Sequence, residues 1–179
     1  MNRRILCIDD EPNILQGYQR ALRKDYDITV AESGAAALGI MANSEPFAVV
    51  VSDMRMPGMD GIQLLMRVKD ISPNSVRMML TGNVDQQTAI DAVNQGNIFR
   101  FLNKPCTSEN FRRALSAGLE QYRLIMAEKE LLEGTLNQSL QVMVDLLSLV
   151  SPLAFSRTVR VKRLAREIAA RLGAPNLWE

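Results

Sequence analysis

The sequence predicts an α/β domain, a parallel sheet covered by helices on both faces, followed by a long helical extension. Three observations carry this. Over the first 105 residues, five apolar runs of strand length alternate with segments of helical spacing. Those runs are nearly continuous rather than alternating, which suits strands buried on both faces. Between Pro105 and Pro152 no proline occurs, and apolar residues recur at steps of four and three.

The elements follow in order. "RILCI" (4–8) is the first strand and runs into Asp9-Asp10-Glu11; Ile14, Tyr18, Ala21 and Leu22 then share one helical face. "DITVA" (27–31) is the second strand, followed by Ala36, Ala37, Ile40 and Met41 at helical spacing. "FAVVV" (47–51) is the third and leads to Asp53. The next helix is opened by Asp60 or Gly61, carries Ile62, Leu65, Met66 and Val68, and closes at Ser72-Pro73-Asn74. "VRMML" (76–80) meets the turn Thr81-Gly82-Asn83. Val84, Thr88, Ala92 and Gln95 form a fourth helical face, ended by Asn94-Gln95-Gly96. "IFRFL" (98–102) is the fifth strand, with Lys104-Pro105 behind it.

Thr107 and Ser108 are N-cap candidates for the extension, with Glu109 in its first turn. Residues 115, 119, 122, 126, 129, 133, 136, 140, 143, 147 and 150 form a heptad seam, interrupted at Lys129 and Glu133. As one helix, 108–150 would run roughly 64 Å at 1.5 Å per residue. Gly134 is its weakest point, and two helices folded on each other is the alternative. The sustained heptad favours a continuous helix that self-associates, a homodimer through 108–150. Ser151-Pro152 then interrupts, and "SRTVRVKRLAREIAARLG" follows. Val161, Leu164, Ala165, Ile168 and Leu172 lie on one of its faces, with Arg157, Arg160, Lys162, Arg163, Arg166 and Arg171 on the other.

Composition excludes several functions. With 21 basic and 20 acidic residues the net charge is +1, so global charge argues for neither nucleic acid nor membrane. Histidine is absent, which removes Ser-His-Asp triads, histidine metal sites and histidine phosphoacceptors. Cys7 and Cys106 have neither metal nor disulfide spacing and read as buried thiols of a reducing compartment. "MNRRILCIDD" is no signal peptide, and no apolar run approaches the ~20 residues that span a bilayer. A soluble cytoplasmic protein is expected.

In an open parallel sheet, ligands bind beyond the carboxyl ends of the strands. The polar residues there are Asp9, Asp10 and Glu11 after strand one, Asp53 after strand three, Thr81 after strand four and Lys104 after strand five. Each alone is an ordinary turn or cap residue; on four ends of one sheet they form a constellation. Clustered carboxylates repel, and a hard divalent cation such as Mg²⁺ relieves that while leaving room for a phosphoryl oxygen. Lysine and a hydroxyl suit other phosphoryl oxygens. A carboxylate can itself be the nucleophile, and Asp53 is the best placed.

The motifs "ILCIDDEP", "VVVSDMRMPGMDG", "MMLTGN" and "FRFLNKPC", in this order and spacing, resemble the receiver domain of bacterial two-component response regulators over residues 1 to about 123. The resemblance implies a doubly wound, flavodoxin-like fold with a five-stranded sheet in the order 2-1-3-4-5. It implies phosphotransfer from a sensor histidine kinase to Asp53. It implies that Asp10, Asp53 and the backbone carbonyl of Arg55 hold Mg²⁺ (or Mn²⁺), with Asp9 acting largely through water. Lys104 and Thr81 would bind the phosphoryl group, Phe101 would be the switching aromatic, and Lys104-Pro105 would be a cis peptide. Arg55 and Asn83 flank the site as tuning positions.

Three output readings compete. "SPLAFSRTVRVKRLAREIAARLG" (151–173) resembles the entry helix of an HD-type phosphohydrolase output domain. The histidine–aspartate pair of such a domain would lie further on, so a fragment of a longer protein is expected. The alternative is a DNA-binding regulator using 157–171, although no helix-turn-helix pair is visible and Asn or Gln to read base edges are missing there. An aspartate-nucleophile phosphatase is disfavoured, because Asp9 and Asp10 are adjacent while Asp53 sits on another strand. The expected organisation is a receiver domain (1–123), a signalling helix (108–150) and the start of an output domain (151–179). It is a phosphoacceptor switch rather than an enzyme, with nucleic acid and membrane not expected as partners.

Overall fold

A computed structural model describes residues 2–82 and 98–150, together with 160, 161, 163–165, 167, 168 and 171. The fourth helical face (84–95), Asn83 and Arg157 lie outside the described residues. The elements are β1 (Arg4–Ile8), α1 (Pro12–Leu22), β2 (Asp27–Ala31), α2 (Gly34–Ala42), β3 (Val49–Asp53), α3 (Gly61–Ile71), β4 (Val76–Thr81), β5 (Arg100–Asn103) and α4 (Ser108–Val150). The strands form one sheet in the order β2-β1-β3-β4-β5, parallel at every pairing. From β1 the chain first winds outward to β2 and then returns to the other side for β3. The strand order reverses between β1 and β3, where a doubly wound sheet opens a crevice at its carboxyl edge.

Alternate side chains of each strand feed two cores. On one face Cys7, Val49, Val51, Met78 and Leu80 pack with Leu15 and Leu22 of α1 and Phe111, Ala114 and Leu115 of α4. On the other, Leu6, Ile8, Val50 and Met79 pack with Ala37 of α2 and Leu64, Leu65 and Val68 of α3. Double-sided burial is why these strands read as unbroken apolar runs.

Two strands sit later than their apolar runs. Phe47 and Ala48 are fully buried but precede the β3 ladder, which continues through Ser52 to Asp53, paired with Leu80. Likewise Ile98 is buried, while β5 begins at Arg100 and ends on Asn103. Burial follows the side chains, whereas pairing follows the backbone, and here the ladder runs two polar residues past the apolar stretch of β3.

Helix starts match their caps. Ser33 Oγ accepts from Ala36 N at 3.2 Å at the start of α2, and Asp60 Oδ1 accepts from Gln63 N at 2.7 Å at the start of α3. Thr107 Oγ1 accepts from Asn110 N at 3.3 Å at the start of α4. The last of these is a single helix of 43 residues, not a folded pair. Its N-terminal stripe is spent inside the domain. Phe111, Ala114 and Leu115 are fully buried, Tyr122 nearly so, and Leu119 and Ile125 pack beside them. Leu115, Leu119 and Tyr122, which the heptad placed in a seam between copies, therefore cover the sheet instead. A helix crossing a sheet and a helix pairing with a partner need almost the same apolar period, so spacing alone does not separate them. Two compact units divide at Glu128. Beyond that point Leu131, Leu136, Leu140 and Met143 are between 51% and 71% exposed.

Candidate functional site

The site is built where β1, β3, β4 and β5 end. Asp9 N still bonds to Ala31 O of β2 at 3.2 Å, so Asp9 is fixed by the sheet although it lies past β1. Its Oδ1 accepts from Glu11 N at 3.0 Å, an Asx turn that leads into α1. Asp9 is fully buried and Asp53 nearly so, while Asp10 is exposed. Asp9, Asp10 and Asp53 each place a carboxylate oxygen within 4.8 Å of the others.

Lys104 reaches this cluster from the opposite edge. Its backbone N bonds to Thr81 O at 2.8 Å, and the Lys104–Pro105 peptide is cis. Its Nζ lies 2.8 Å from Asp9 Oδ2 and 2.7 Å from Asp53 Oδ1. Burial pulls down the pKa of the ammonium, but the hydrogen bonds and charges of Asp53 and Asp9 outweigh it, and the net direction is up. The folded-state pKa is raised, so the ammonium's contribution to stability is present below the ordinary lysine value wherever its carboxylate partners are ionised, and it is lost as pH climbs through the raised one. One ammonium against three carboxylates leaves the cluster net negative. A compact all-oxygen set of this kind, open on the Asp10 side, fits a hard divalent cation that keeps some of its waters.

The loop behind Asp53 is shaped to clear the site. Gly58 has φ +80°, a conformation that favours glycine. Gly61 N bonds to Met54 O at 2.9 Å, which brings the first turn of α3 hard against β3. A Cβ on Gly61 would stand 2.1 Å from Asp53 O and 3.0 Å from Met54 Cα, both backbone atoms that cannot step aside. Gly61→Ala is therefore expected to destabilise the fold by at least about 1–3 kcal/mol. The readout is a lower urea midpoint at an unchanged slope, whereas wild-type stability would contradict this close approach.

The remaining predicted residues are less closely gathered. Thr81 is buried, but its Oγ1 is directed to Met54 Sδ at 3.3 Å and Gly82 O at 3.1 Å. Phe101 is half-buried against the core on the α2–α3 face. Arg55 is exposed, two residues past Asp53. Sequence reasoning missed Met54, the partner of Thr81. The signal was available in the register: Asp53 pairs with Leu80, which sets Met54 beside Thr81. Cys7, a free thiol in β1, is inert here; burial, then the charge of Asp9, pushes its pKa up to about 12.

Known proteins resemble this chain in sequence and fold. Residues 5–116 match the response regulator receiver domain family. The transcriptional regulatory protein GlrR of Escherichia coli K12 is 35% identical over 118 residues, which is 65% of this chain and 26% of that protein. The chain thus spans about a quarter of that relative. Among solved structures, one described as adenylate cyclase from Rhodopirellula baltica is 47% identical with a TM-score of 0.73, covering 74% of this chain and 98% of that one. The signal receiver domain of an HD domain-containing protein from Pseudomonas fluorescens Pf-5 is 32% identical with a TM-score of 0.64, covering 69% and 98%. With its sheet order, its carboxylate cluster and a family match over most of its length, this chain belongs to the receiver domains of two-component response regulators.

Proposed function

We propose that Asp53 is the phosphoacceptor of this receiver domain, charged by a sensor histidine kinase and used as a switch. The observation that carries the reading is the Asp9–Lys104–Asp53 bridge at the carboxyl edge, beside the reversal of strand order. Asp53 is held at the end of a fully buried strand, so its carboxylate is fixed where an incoming phosphoryl group must arrive. In the transfer, an Asp53 carboxylate oxygen bonds to phosphorus while the phosphorus–nitrogen bond of the phosphohistidine breaks and its electron pair returns to the imidazole. Lys104, already in place, exchanges its contact with Asp53 for a phosphoryl oxygen, and Thr81 supplies a hydroxyl to another. Asp9, Asp10, Asp53 and the carbonyl of Arg55 would hold Mg²⁺ (or Mn²⁺), which supplies positive charge to the phosphoryl oxygens. Acetyl phosphate with Mg²⁺ should add one acid-labile phosphoryl group per chain, read by intact mass. A chain that takes up none contradicts the assignment.

Asp10 gives an independent test of the metal set. It is the exposed member and contributes repulsion without sharing the Lys104 bridge. Asp10→Asn should lose Mg²⁺ affinity while the metal-free protein becomes no less stable. Affinity unchanged in a calorimetric titration would remove Asp10 from the site.

The switch is proposed to travel along α4, through a dimer, to an HD-type output module that begins within 151–179. In support, the helix is continuous from the receiver core to Val150, and a receiver of an HD domain-containing protein is among its structural relatives. A second reading, a DNA-binding transcriptional regulator, is favoured by the relationship to GlrR. Among 160–171, Arg160, Arg163 and Arg171 are exposed. A mobility-shift assay separates the two, since retention of duplex DNA that weakens steeply with salt would support the transcriptional reading. Among the described residues no helix is long and apolar enough to cross a membrane, and we place the switch in the cytoplasm.

A further inference from the structure

The side chain of Thr81 does not face Asp53. Strand side chains alternate: β3 sends Val49, Val51 and Asp53 to one side and Val50 and Ser52 to the other, and Met54, the residue after the strand, packs on the side of Val50. Met54 belongs to the core on the α2–α3 face and is 6% exposed. Thr81, 5% exposed, donates to its Sδ at 3.3 Å, sharing the proton with Gly82 O at 3.1 Å.

The backbone around this contact is tied down. Met54 N bonds to Leu80 O at 2.9 Å, Met54 O accepts from Gly61 N at 2.9 Å, and Thr81 O accepts from Lys104 N at 2.8 Å. With both frames fixed, the Thr81 hydroxyl changes partner chiefly by rotating about its Cα–Cβ bond, between staggered positions. Methionine could fill this space as plain core. What sets it apart is that its sulfur accepts from a buried hydroxyl, which needs a partner. A thioether is a weak acceptor, strong enough to hold the hydroxyl at rest and weak enough to surrender it to a charged oxygen.

We propose that Met54 is a positioning residue for the switch, a latch whose thioether holds the Thr81 hydroxyl on the α2–α3 side until a phosphoryl group on Asp53 draws it across. This rests on Asp53 being the phosphoacceptor. Removing the latch makes the active arrangement easier to populate, so a ligand that needs it binds more tightly.

The test uses the full chain with Met54→Leu, which keeps the volume and lacks the acceptor. The probe is beryllofluoride with Mg²⁺, a phosphoryl mimic for a carboxylate. Apparent affinity should rise on the order of two- to threefold, the lower end of one neutral hydrogen bond, because the thioether is a weak acceptor and Gly82 O keeps its share of the hydroxyl. In a Thr81→Val background the same Met54→Leu change should leave affinity unaltered. In metal-free protein without the probe, the NMR signals of the Thr81 amide and methyl should move in Met54→Leu. Equal effects with and without the Thr81 hydroxyl, or no effect in either, would overturn the latch. If wild-type protein does not bind the probe at all, the Asp53 reading fails. The latch rests on that reading and then falls with it, whereas wild-type binding of the probe with equal effects of Met54→Leu in both backgrounds overturns the latch alone.

Discussion

Asp53→Asn is expected to abolish phosphoryl uptake from acetyl phosphate, with no label detectable where the wild-type chain should gain one acid-labile group. An asparagine keeps the size of the side chain and can still accept from Lys104 Nζ, which now lies 2.7 Å from Asp53 Oδ1. What it lacks is the anionic oxygen that attacks phosphorus, and an amide does not form an acyl phosphate. Other carboxylates of the cluster cannot substitute. Asp9 is fully buried with its oxygens taken by Glu11 N and Lys104, and Asp10 is the exposed member of the cluster, outside the Lys104 bridge. The urea midpoint of the variant separates lost chemistry from lost fold, because Asp9 retains Lys104. Label taken up by Asp53→Asn at the wild-type rate would move the acceptor elsewhere and with it the reading of the site.

That such a site could be read from residues alone has a physical reason. Asp9, Asp10, Asp53 and Lys104 were legible because each follows a strand whose apolar run is unmistakable, and a parallel sheet brings all its carboxyl ends to one edge. β1 and β2 fall on the runs that predicted them, and Asp60 and Thr107 cap the helices they were expected to open. What escaped was set by register and by competition between partners. The first residues of "FAVVV" are buried outside the ladder, because apolarity reports burial and not pairing. The preference of Thr81 for Met54 depends on which residue the β3–β4 register sets beside it. The sharing of the α4 stripe between sheet and solvent depends on where the helix leaves the domain. Gly118 shows that the approach was built for the sheet: a Cβ there would come within 2.3 Å of the Met78 side chain and 3.2 Å of Val49.

The full chain is expected to be a parallel dimer held by the distal part of α4. Leu136, Leu140, Met143 and Val150 repeat at heptad spacing and are 60%, 51%, 60% and 82% exposed, far more apolar surface than one helix leaves in water without a partner. Covering each such side chain is worth about 1.5–3 kcal/mol when complete, so four per copy outweigh the cost of association that a shorter stripe could not. A second copy is the occupant that matches the pattern, because an a/d repeat is complementary to itself. Lys129 and Glu133 stand on the same stripe, 3.8 Å apart within one chain. In a parallel pair they place a polar layer near the junction at Glu128, a device that costs stability and fixes register. Phosphorylation of Asp53 would add about −1.5 to −2 charges there, and a helix that begins in the receiver core would be the route for any resulting shift to that layer. Light scattering should give about twice 20.0 kDa for the full chain and a monomer for a version ending at Glu128, which keeps Tyr122 and Ile125 in their core. Leu136→Glu with Leu140→Glu should dissociate the full chain while leaving acetyl phosphate uptake intact, since neither residue belongs to the set proposed to take up the phosphoryl group. A full-length monomer at about tens of micromolar, in the range where four buried apolar side chains per copy should hold a pair together, would sink the dimer and leave α4 to find its partner within the output module.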